Sequence, residues 1–270
     1  MRSVLTDLHL HSTFSDGKLT VREIVDLFGK RGFGAIAITD HLCESTTFLG
    51  RAAAYLGHTL TPETFPMYQE TLRLEARRAE REYGMLLVPG FELTKNTVRN
   101  HRSAHVVALG VTEWIDAGQP IEAICDQIHA RKGLAIAAHP VSTRVLEKQT
   151  YALWNNRRAL APYFDAWEVA SGKKIFEEVY ASGLPMIANS DLHRPAQIES
   201  WKSVFHLGAD RADDGGLKIT FAELAEGIRT QNLGFEYYTE GEIYDHGTRG
   251  THVSRHRHSS VDHRLRARLA

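Results

Sequence analysis

A series of short apolar runs, each ending in histidines or carboxylates, limits the folds open to this chain. The first run, residues 4–10, contains His9 and is followed by His11. The last run is followed by Asp191 and His193. Residues at i and i+2 of a strand face the same side, so each pair can bind one metal ion. Three further runs lead into His41, Glu92 and His139. Since the carboxyl ends of parallel strands converge on one pocket, the sequence predicts a shared metal site.

Each motif taken alone has a simpler interpretation. A single His-x-His is more often a surface or core pair than a pair of ligands, and His105 or His139 alone is a weaker signal still. Repetition at strand ends favours ligation, because burying so many ionisable groups without a metal would cost free energy. Imidazoles and carboxylates are ligands of borderline and hard divalent metals, and the set contains no thiolate.

The apolar runs alternate with amphipathic segments, which predicts repeated βα units. Residues 20–23 predict a capping box ahead of the first helix, and Gly32 and Gly34 end that helix. With 270 residues and 43% hydrophobic content the chain can bury one large core. Because α/β barrels commonly run to about 250 residues, we predict one α/β domain over residues 1–245.

Bulk charge does not indicate a polyanionic partner. The formal net charge is −1, so neither nucleic acid nor an anionic membrane is implied. No run approaches the roughly 20 apolar residues of a membrane span, and no leader pattern opens the chain. Cys43 and Cys125 are too few for a disulfide framework. These features predict a cytoplasmic protein without a membrane partner.

Residues 246–270 differ in composition from the rest of the chain. Arginine and histidine crowd this stretch, and apolar periodicity is almost missing. No interleaved aromatics or folded basic motif accompany the charge, so a disordered basic tail is favoured over a nucleic-acid-binding segment.

Taken in order, the motifs resemble those of the PHP (polymerase and histidinol phosphatase) family of metal-dependent phosphoesterases. The resemblance spans residues 4 to about 195. The motifs that carry it are residues 7–12 (DLHLHS), 15–17 (SDG), 39–41 (TDH), 89–92 (PGFE), 105–106 (HV), 138–140 (AHP) and 190–193 (SDLH). The resemblance implies a distorted (β/α)7 TIM-like barrel with a metal cluster at the carboxyl ends of its strands.

The resemblance also implies the ligands of two or three divalent ions. They are His9, His11, Glu92 and Asp191 for one position, Glu92, His105 and His139 for a second, and Asp16, His41 and His193 for a third. A carboxylate such as Glu92 can bridge two cations and offset their repulsion. Zn, Mn and Fe all suit such mixed sites. Asp7 and Asp40 are predicted to orient imidazoles by hydrogen bonds, with a structural capping role as the competing interpretation.

The implied chemistry is hydrolysis of a phosphate ester by a hydroxide that bridges two metal ions. No side-chain nucleophile is predicted, because a Gly-x-Ser-x-Gly motif is absent and neither cysteine lies in a nucleophile signature. Three cations on strand-end loops are candidates for binding the phosphate of the substrate, each with a solvated surface charge as the alternative interpretation. They are Lys95, Arg144 and Arg194.

A small phosphomonoester is the favoured substrate, and nucleic acid is a less favoured partner. Family members that cleave nucleotides or oligonucleotides often carry a helical insertion between the equivalents of His105 and His139, where this chain has room for one ordinary passage. The extra length lies instead at residues 42–61, which are predicted to be irregular and to cover the site. Three alternatives stay open: a nucleotide or oligonucleotide phosphoesterase, a non-catalytic metal-binding PHP module, and a metal-dependent amidohydrolase.

Overall fold

The protein is described by a computed structural model over residues 2–97, 102–141, 151–208 and 217–240. Within these ranges eleven strands belong to one sheet. The strands are β1 (Arg2–Leu10), β2 (Ala35–Ile38), β3 (His41–Cys43), β4 (Leu86–Lys95), β5 (Ala104–Leu109), β6 (Leu134–Ala137), β7 (Ala166–Ser171), β8 (Lys174–Ile175), β9 (Met186–Asn189), β10 (Trp201–Leu207) and β11 (Leu233–Tyr237). The helices are α1 (Val21–Gly29), α2 (Phe48–Tyr55), α3 (Phe65–Tyr83), α4 (Ile121–Ala130), α5 (Tyr151–Asn155), α6 (Arg157–Leu160), α7 (Glu177–Tyr180) and α8 (Phe221–Thr230).

The sheet curls until the segment after β9 reaches β1. Its strands follow the order β11-β10-β1-β2-β4-β5-β6-β7-β8, with β3 paired to β4 and β9 paired to β7. Leu10 forms a bridge with Leu192, and the His11 amide donates to Leu192 O at 2.9 Å. The end of β1 therefore lies next to the segment that follows β9, although the two are far apart in the chain.

The strand directions depart from regular βα alternation. Strands β1, β2 and β4 are parallel, as are β6, β7 and β9, but β5 runs antiparallel to both β4 and β6. Strands β10 and β11 add to the β1 edge in antiparallel pairing. The prediction of a mixed α/β fold with a curled, barrel-like sheet is confirmed. The count of seven βα units is not confirmed by this pairing.

Two apolar layers hold the curled sheet, because successive strand residues alternate between its faces. Ile36 and Ile38 join the layer beneath helices α1, α3 and α4. Ala35 and Ala37 join the other layer, which includes Leu224 of α8. The strands are thus buried on both sides, as expected for an α/β sheet.

Two local features place the helices against the strand ends. Thr20 Oγ1 accepts the Glu23 amide at 3.3 Å and Glu23 accepts the Thr20 amide at 2.8 Å, so the predicted capping box before α1 is confirmed. On α3, the buried Tyr68 hydroxyl lies 3.0 Å from Ile38 O and 2.8 Å from Gly90 O. This hydroxyl ties the end of β2 to the middle of β4, close to His41 and Glu92.

Residues 42–61 are more regular than the sequence predicts. They contain most of β3 and the whole of α2, and both ends of the excursion are anchored: the Cys43 amide donates to Thr59 Oγ1 at 2.7 Å, and the Glu44 amide to Thr94 O at 3.0 Å. The apolar side chains of α2 stay outside the core, with Phe48 72% and Tyr55 91% exposed. That this segment covers the site stays a prediction.

Two further sequence predictions concern membrane spans and the ends of the predicted domain and tail. Across the described residues, no helix combines the length and the apolar character needed to span a bilayer. The basic tail over residues 246–270 lies outside the described residues, and so does the end of the predicted domain beyond Glu240.

Candidate metal centre

All nine predicted ligands lie together at one end of the sheet. They form four groups in which the possible ligand atoms lie within 4.8 Å of one another. The groups are His11, Asp16, His41 and His193; His9, His11 and Glu92; His9, His139 and Asp191; and His41, Glu92 and His105. Because four of these residues belong to two groups each, the nine side chains form one continuous cluster.

Glu92 stands at the middle of the cluster and is completely buried. Its Oε1 lies 3.4 Å from His9 Nε2, 3.1 Å from His105 Nδ1 and 3.2 Å from His139 Nε2, and its Oε2 lies 2.5 Å from His41 Nδ1. Burial opposes the ionised carboxylate, but the imidazoles of His105 and His41 outweigh burial and hold the pKa of Glu92 well below its usual range. One negative charge is therefore shared by four imidazoles.

The donor atoms around Asp191 fit a bound cation. His9 Nε2 and His11 Nε2 lie 3.1 Å apart, and Asp191 Oδ1 lies 3.5 Å and 3.2 Å from them. Two imidazole lone pairs this close repel each other unless a proton or a cation lies between them. Burial opposes ionisation of Asp191, yet His9 and His11 keep its pKa well below the usual range. Nitrogen and carboxylate donors so arranged suit a divalent cation.

The third group forms the open side of the centre. Asp16 Oδ1 lies 3.2 Å from His193 Nε2 and 3.6 Å from His41 Nε2. The Asp16 and His193 side chains are 35% and 24% exposed, whereas those of His9 and Glu92 are fully buried. The cluster is therefore open to solvent on the side of Asp16 and His193.

Protonation differs between the buried and the open part. Burial, together with neighbouring His41 and His193, lowers the pKa of His11 to about 3, so that this imidazole is neutral and able to ligate. Burial also opposes the charged form of His193, but its hydrogen bond with Asp16 outweighs burial and raises the pKa of His193 to about 9. The open side therefore holds ion pairs where no cation is bound.

Two of the candidate ligands have backbone conformations in the left-handed region. His139 has φ +25° and Asp191 has φ +53°, a region that side chains other than glycine seldom adopt. Such strain persists only where the surroundings hold it. Next to each ligand a buried carboxylate accepts a backbone amide: Glu168 accepts that of His139 at 2.7 Å, and Asp7 accepts that of Ser190 at 3.0 Å.

Comparison with known families agrees with this centre. Residues 7–109 match the family model described as the PHP domain. These residues are similar to a PHP domain. Six of the nine clustered side chains lie within the matched residues, and the fold brings the other three, His139, Asp191 and His193, next to them.

Solved structures resemble this chain in fold. A two-domain protein containing a predicted PHP-like metal-dependent phosphoesterase, from Bacteroides vulgatus ATCC 8482, aligns with a TM-score of 0.61 and 18% identity over 88% of this chain and 65% of that chain. PsfC from Pseudomonas syringae PB-5123 aligns with a TM-score of 0.56 and 16% identity over 89% of this chain and 93% of that chain.

Two curated proteins are similar over shorter stretches. Phosphoribosyl 1,2-cyclic phosphate 1,2-diphosphodiesterase from Eggerthella lenta is 28% identical over 129 residues, which cover 48% of this chain and 38% of that protein. DNA polymerase/3'-5' exonuclease PolX from Bacillus subtilis is 51% identical over 35 residues, 13% of this chain and 6% of that protein. The chain thus spans well under half the length of these curated relatives.

Asp7 and Asp40 beside the candidate metal centre have partners other than the imidazoles predicted for them. Asp7 accepts the Ser190 amide, and its Oδ2 lies 2.6 Å from Lys202 Nζ. Asp40 accepts the Ser12 amide at 2.7 Å and the Ser12 and Ser15 hydroxyls at 2.6 Å and 2.5 Å. Both carboxylates hold the backbone of ligand loops, because backbone amides and hydroxyls, rather than rings, are the donors within their reach.

Lys202 and Asp7 form an ion pair in which both side chains are fully buried. We expect Lys202→Met to lower the free energy of unfolding of the metal-free protein by about 3–5 kcal/mol, because Asp7 would stay buried without its countercharge. Denaturant unfolding measures the change, with Lys173→Met, at an exposed position, as a control within about 0.5 kcal/mol of wild type. Equal stability of both variants would contradict the structural role of the pair.

Glu168 is a residue of the candidate metal centre that the sequence motifs missed. It lies on β7, is fully buried and contacts His9, His139 and Asn189. The available signal was one glutamate within the apolar run of residues 166–170. Thr94 and Asn96 were missed as well; Thr94 Oγ1 lies 2.9 Å from His41 Nδ1, and Asn96 Oδ1 lies 3.0 Å from His105 Nε2.

The three candidate phosphate-binding cations have different surroundings. Lys95 Nζ donates to Ala117 O at 2.6 Å and pairs with Glu44 at 3.2 Å, so its charge is engaged. Arg194 is exposed directly after His193. Arg144 lies outside the described residues.

Lys18 is a cation near the open side that the motifs did not single out. Its amide donates to His193 O at 2.8 Å, which places Lys18 beside the His193–Arg194 segment, and its side chain is exposed. The backbone of Lys18 and that of Arg194 therefore lie next to His193 on the open side of the candidate metal centre.

Proposed function

We propose that this chain is a metal-dependent phosphoesterase and that its substrate is a small phosphomonoester. The observation that carries the proposal is the continuous cluster of nine imidazole and carboxylate side chains around Glu92. The PHP domain over residues 7–109 supports the reaction class, and the relative from Eggerthella lenta is named for action on a phosphate ester.

The donor set fits two or three divalent ions. The nine clustered side chains are the residues that would hold them. When bound, such ions lower the pKa of a coordinated water and neutralise the charge of a phosphate ester. Glu92 would lie between two positions, since its two oxygens face imidazoles on both sides. Neutral His11 offers a lone pair without first losing a proton. The buried residues thereby keep the donors in place before a substrate arrives.

The two cysteines do not offer a competing nucleophile. Burial raises the pKa of the Cys43 thiol to about 11, and burial also raises the pKa of Cys125 above its usual range. A thiol attacks as the thiolate, and both thiols are protonated at neutral pH. Covalent catalysis through cysteine is therefore disfavoured, in agreement with hydrolysis by water.

Charge at the open side favours a monoester. A phosphomonoester carries a charge of about −1.5 to −2 at neutral pH, more than the single charge of a diester. Lys18 and Arg194 flank the side on which Asp16 and His193 are exposed, and their charges can contact the terminal phosphate oxygens. Two exposed cations therefore match a phosphomonoester better than they match a singly charged diester.

A cyclic phosphodiester is the second candidate substrate. It is favoured by the 28% identity with a protein named as a phosphoribosyl 1,2-cyclic phosphate 1,2-diphosphodiesterase. A non-catalytic PHP module is disfavoured, because loss of activity would leave gaps in the ligand set and all nine predicted ligands are clustered. The amidohydrolase alternative lacks support, since a carboxylate, Glu92, occupies the position between the imidazoles.

A substrate panel tests the proposal. Protein purified without chelator, with its metal content measured, is assayed on phosphomonoesters, cyclic phosphodiesters and short single-stranded oligonucleotides. We expect the highest kcat/KM on a phosphomonoester. Preference for a cyclic diester would establish the second candidate, and full metal content without hydrolysis of any ester would contradict the phosphoesterase proposal.

Truncation of residues 246–270 is expected to leave metal content and small-ester hydrolysis unchanged. The tail carries charge without the aromatic or folded features of nucleic-acid-binding segments. Turnover of a small aryl phosphate and of a short oligonucleotide is compared for both chain lengths at several salt concentrations. A salt-dependent loss confined to the oligonucleotide would instead assign the tail to phosphate-backbone binding.

A further inference from the structure

Glu168 lies completely buried beneath the candidate metal centre and uses both carboxylate oxygens there. Its Oε1 lies 2.9 Å from His9 Nδ1 and accepts Asn189 Nδ2 at 2.9 Å. Its Oε2 accepts the His139 amide at 2.7 Å. Three donors around one buried carboxylate offset the cost of removing its charge from water.

The first contact fixes the ring of His9. An ionised carboxylate only accepts hydrogen bonds, so His9 Nδ1 must donate to Glu168, which leaves the Nε2 lone pair available in the neutral tautomer. His9 Nε2 is the atom that faces Glu92 at 3.4 Å and Asp191 at 3.5 Å. The contact thus directs the ligating nitrogen into the cluster.

The second contact holds the backbone of His139. This residue has φ +25°, and its amide is bound by Glu168 Oε2. The same residue presents Nε2 to Glu92 at 3.2 Å. Because strained backbone relaxes when its surroundings no longer hold it, loss of this bond would move the ring of His139 away from the cluster.

A third contact extends the connection to β9. Asn189 donates to Glu168 while its Oδ1 accepts the Leu8 amide at 2.9 Å. Asn189 lies two residues before Asp191, and Leu8 lies next to His9. Glu168 and Asn189 together join β1, β7 and β9, so the ligand-bearing ends of β1 and β9 are held in register.

We propose that Glu168 is a positioning residue, which sets the His9 ring and the His139 backbone so that a divalent cation is bound tightly. This inference rests on the metal centre of the proposed function. Glu168 acts through those ligands and is not itself among the clustered ligand groups of the described residues. Partners of metal-bound histidines commonly change metal affinity 10- to 100-fold when they are mutated.

Glu168→Gln tests the proposal, because an amide of the same shape cannot accept hydrogen bonds at both ends. Asp165→Asn is the matched control: Asp165 Oδ2 also accepts a backbone amide, that of Ala135, and lies 2.9 Å from a ring nitrogen of His129, outside the centre. Competition of the purified protein with a chromogenic chelator measures Zn²⁺ and Mn²⁺ affinity. We expect a roughly 10- to 100-fold loss in Glu168→Gln and wild-type affinity in Asp165→Asn.

The melting temperature of each metal-free variant shows whether the substitution destabilises the whole fold or changes only the positions of the candidate ligands. Wild-type affinity in Glu168→Gln would overturn the proposal, as would an equal loss of affinity in Asp165→Asn. If Glu168→Gln does not fold, Glu168→Asp replaces it, since the shorter side chain keeps the charge but cannot reach both partners. We expect a roughly tenfold loss of affinity for that variant, and wild-type affinity would overturn the proposal.

Metal affinity makes this test independent of turnover. Wild-type protein that binds metal but hydrolyses no phosphate ester would contradict the proposed function and leave the role of Glu168 measurable. Wild-type protein that binds no metal would overturn both. A loss of affinity in Glu168→Gln, with hydrolysis established for wild type, would support both.

Discussion

Replacing Glu92 with Gln is expected to remove at least one equivalent of bound metal and to lower turnover by several orders of magnitude. The substitution keeps the shape of the side chain but removes the negative charge that lies among the imidazoles of His9, His41, His105 and His139. Cations held close together need that charge between them to offset their repulsion. The lost charge is that of Glu92 itself, and its removal affects all four neighbouring imidazoles.

Elemental analysis and steady-state kinetics on the best-hydrolysed ester check this result. Glu113→Gln is the control, because Glu113 is exposed and pairs with Arg131 away from the centre. Its metal content and kcat should match those of wild type. Full metal content with near-normal turnover in Glu92→Gln would reject the bridging assignment.

Exhaustive chelation is expected to abolish hydrolysis and to lower the melting temperature. Without cations, the carboxylates of Asp16, Glu92 and Asp191 share a small volume with several imidazoles, and the binding free energy of the metal is lost from the folded state. Free metal at about 1,000 times its dissociation constant contributes about 4 kcal/mol. For a domain of this size that contribution corresponds to roughly 10 °C.

Thermal unfolding before chelation, after chelation and after metal is restored checks this expectation. The same treatment of Glu92→Gln is the control, since a variant that binds less metal should show a smaller change. Activity should return with the restored metal. An unchanged melting temperature and an unchanged turnover after chelation would argue against any metal cluster.

Residue identity was enough to predict most of the candidate ligands and where they meet, whereas Asp16 was added only by the resemblance to the PHP family. Histidines and carboxylates following apolar runs predict a site at the strand ends, because side chains alternate along strands and parallel strands end at a common edge. His9, His11 and Glu92 were predicted in this way, and the fold places them within one group. The capping box at Thr20 was equally readable, since its donors and acceptors lie within one helical turn.

The direction of each strand could not be predicted from the same apolar runs. An apolar run such as β5 has the same composition whether it lies parallel or antiparallel to its neighbours, so the antiparallel pairing with β4 and β6 follows from long-range packing. The count of βα units depends on that choice. The ordered β3 and α2 within residues 42–61 likewise depend on anchoring to Thr94.

The sequence by itself determined which residue types stand at the strand ends, and with them the cluster of candidate ligands. Only the tertiary structure decided how those ligands are held. Glu168 and Lys202 carry no motif, and their partners His9 and Asp7 are far away in the chain. A buried charge is stabilised by whichever opposite charge or donor the fold brings within about 3 Å, and that proximity is a property of the folded chain rather than of local sequence.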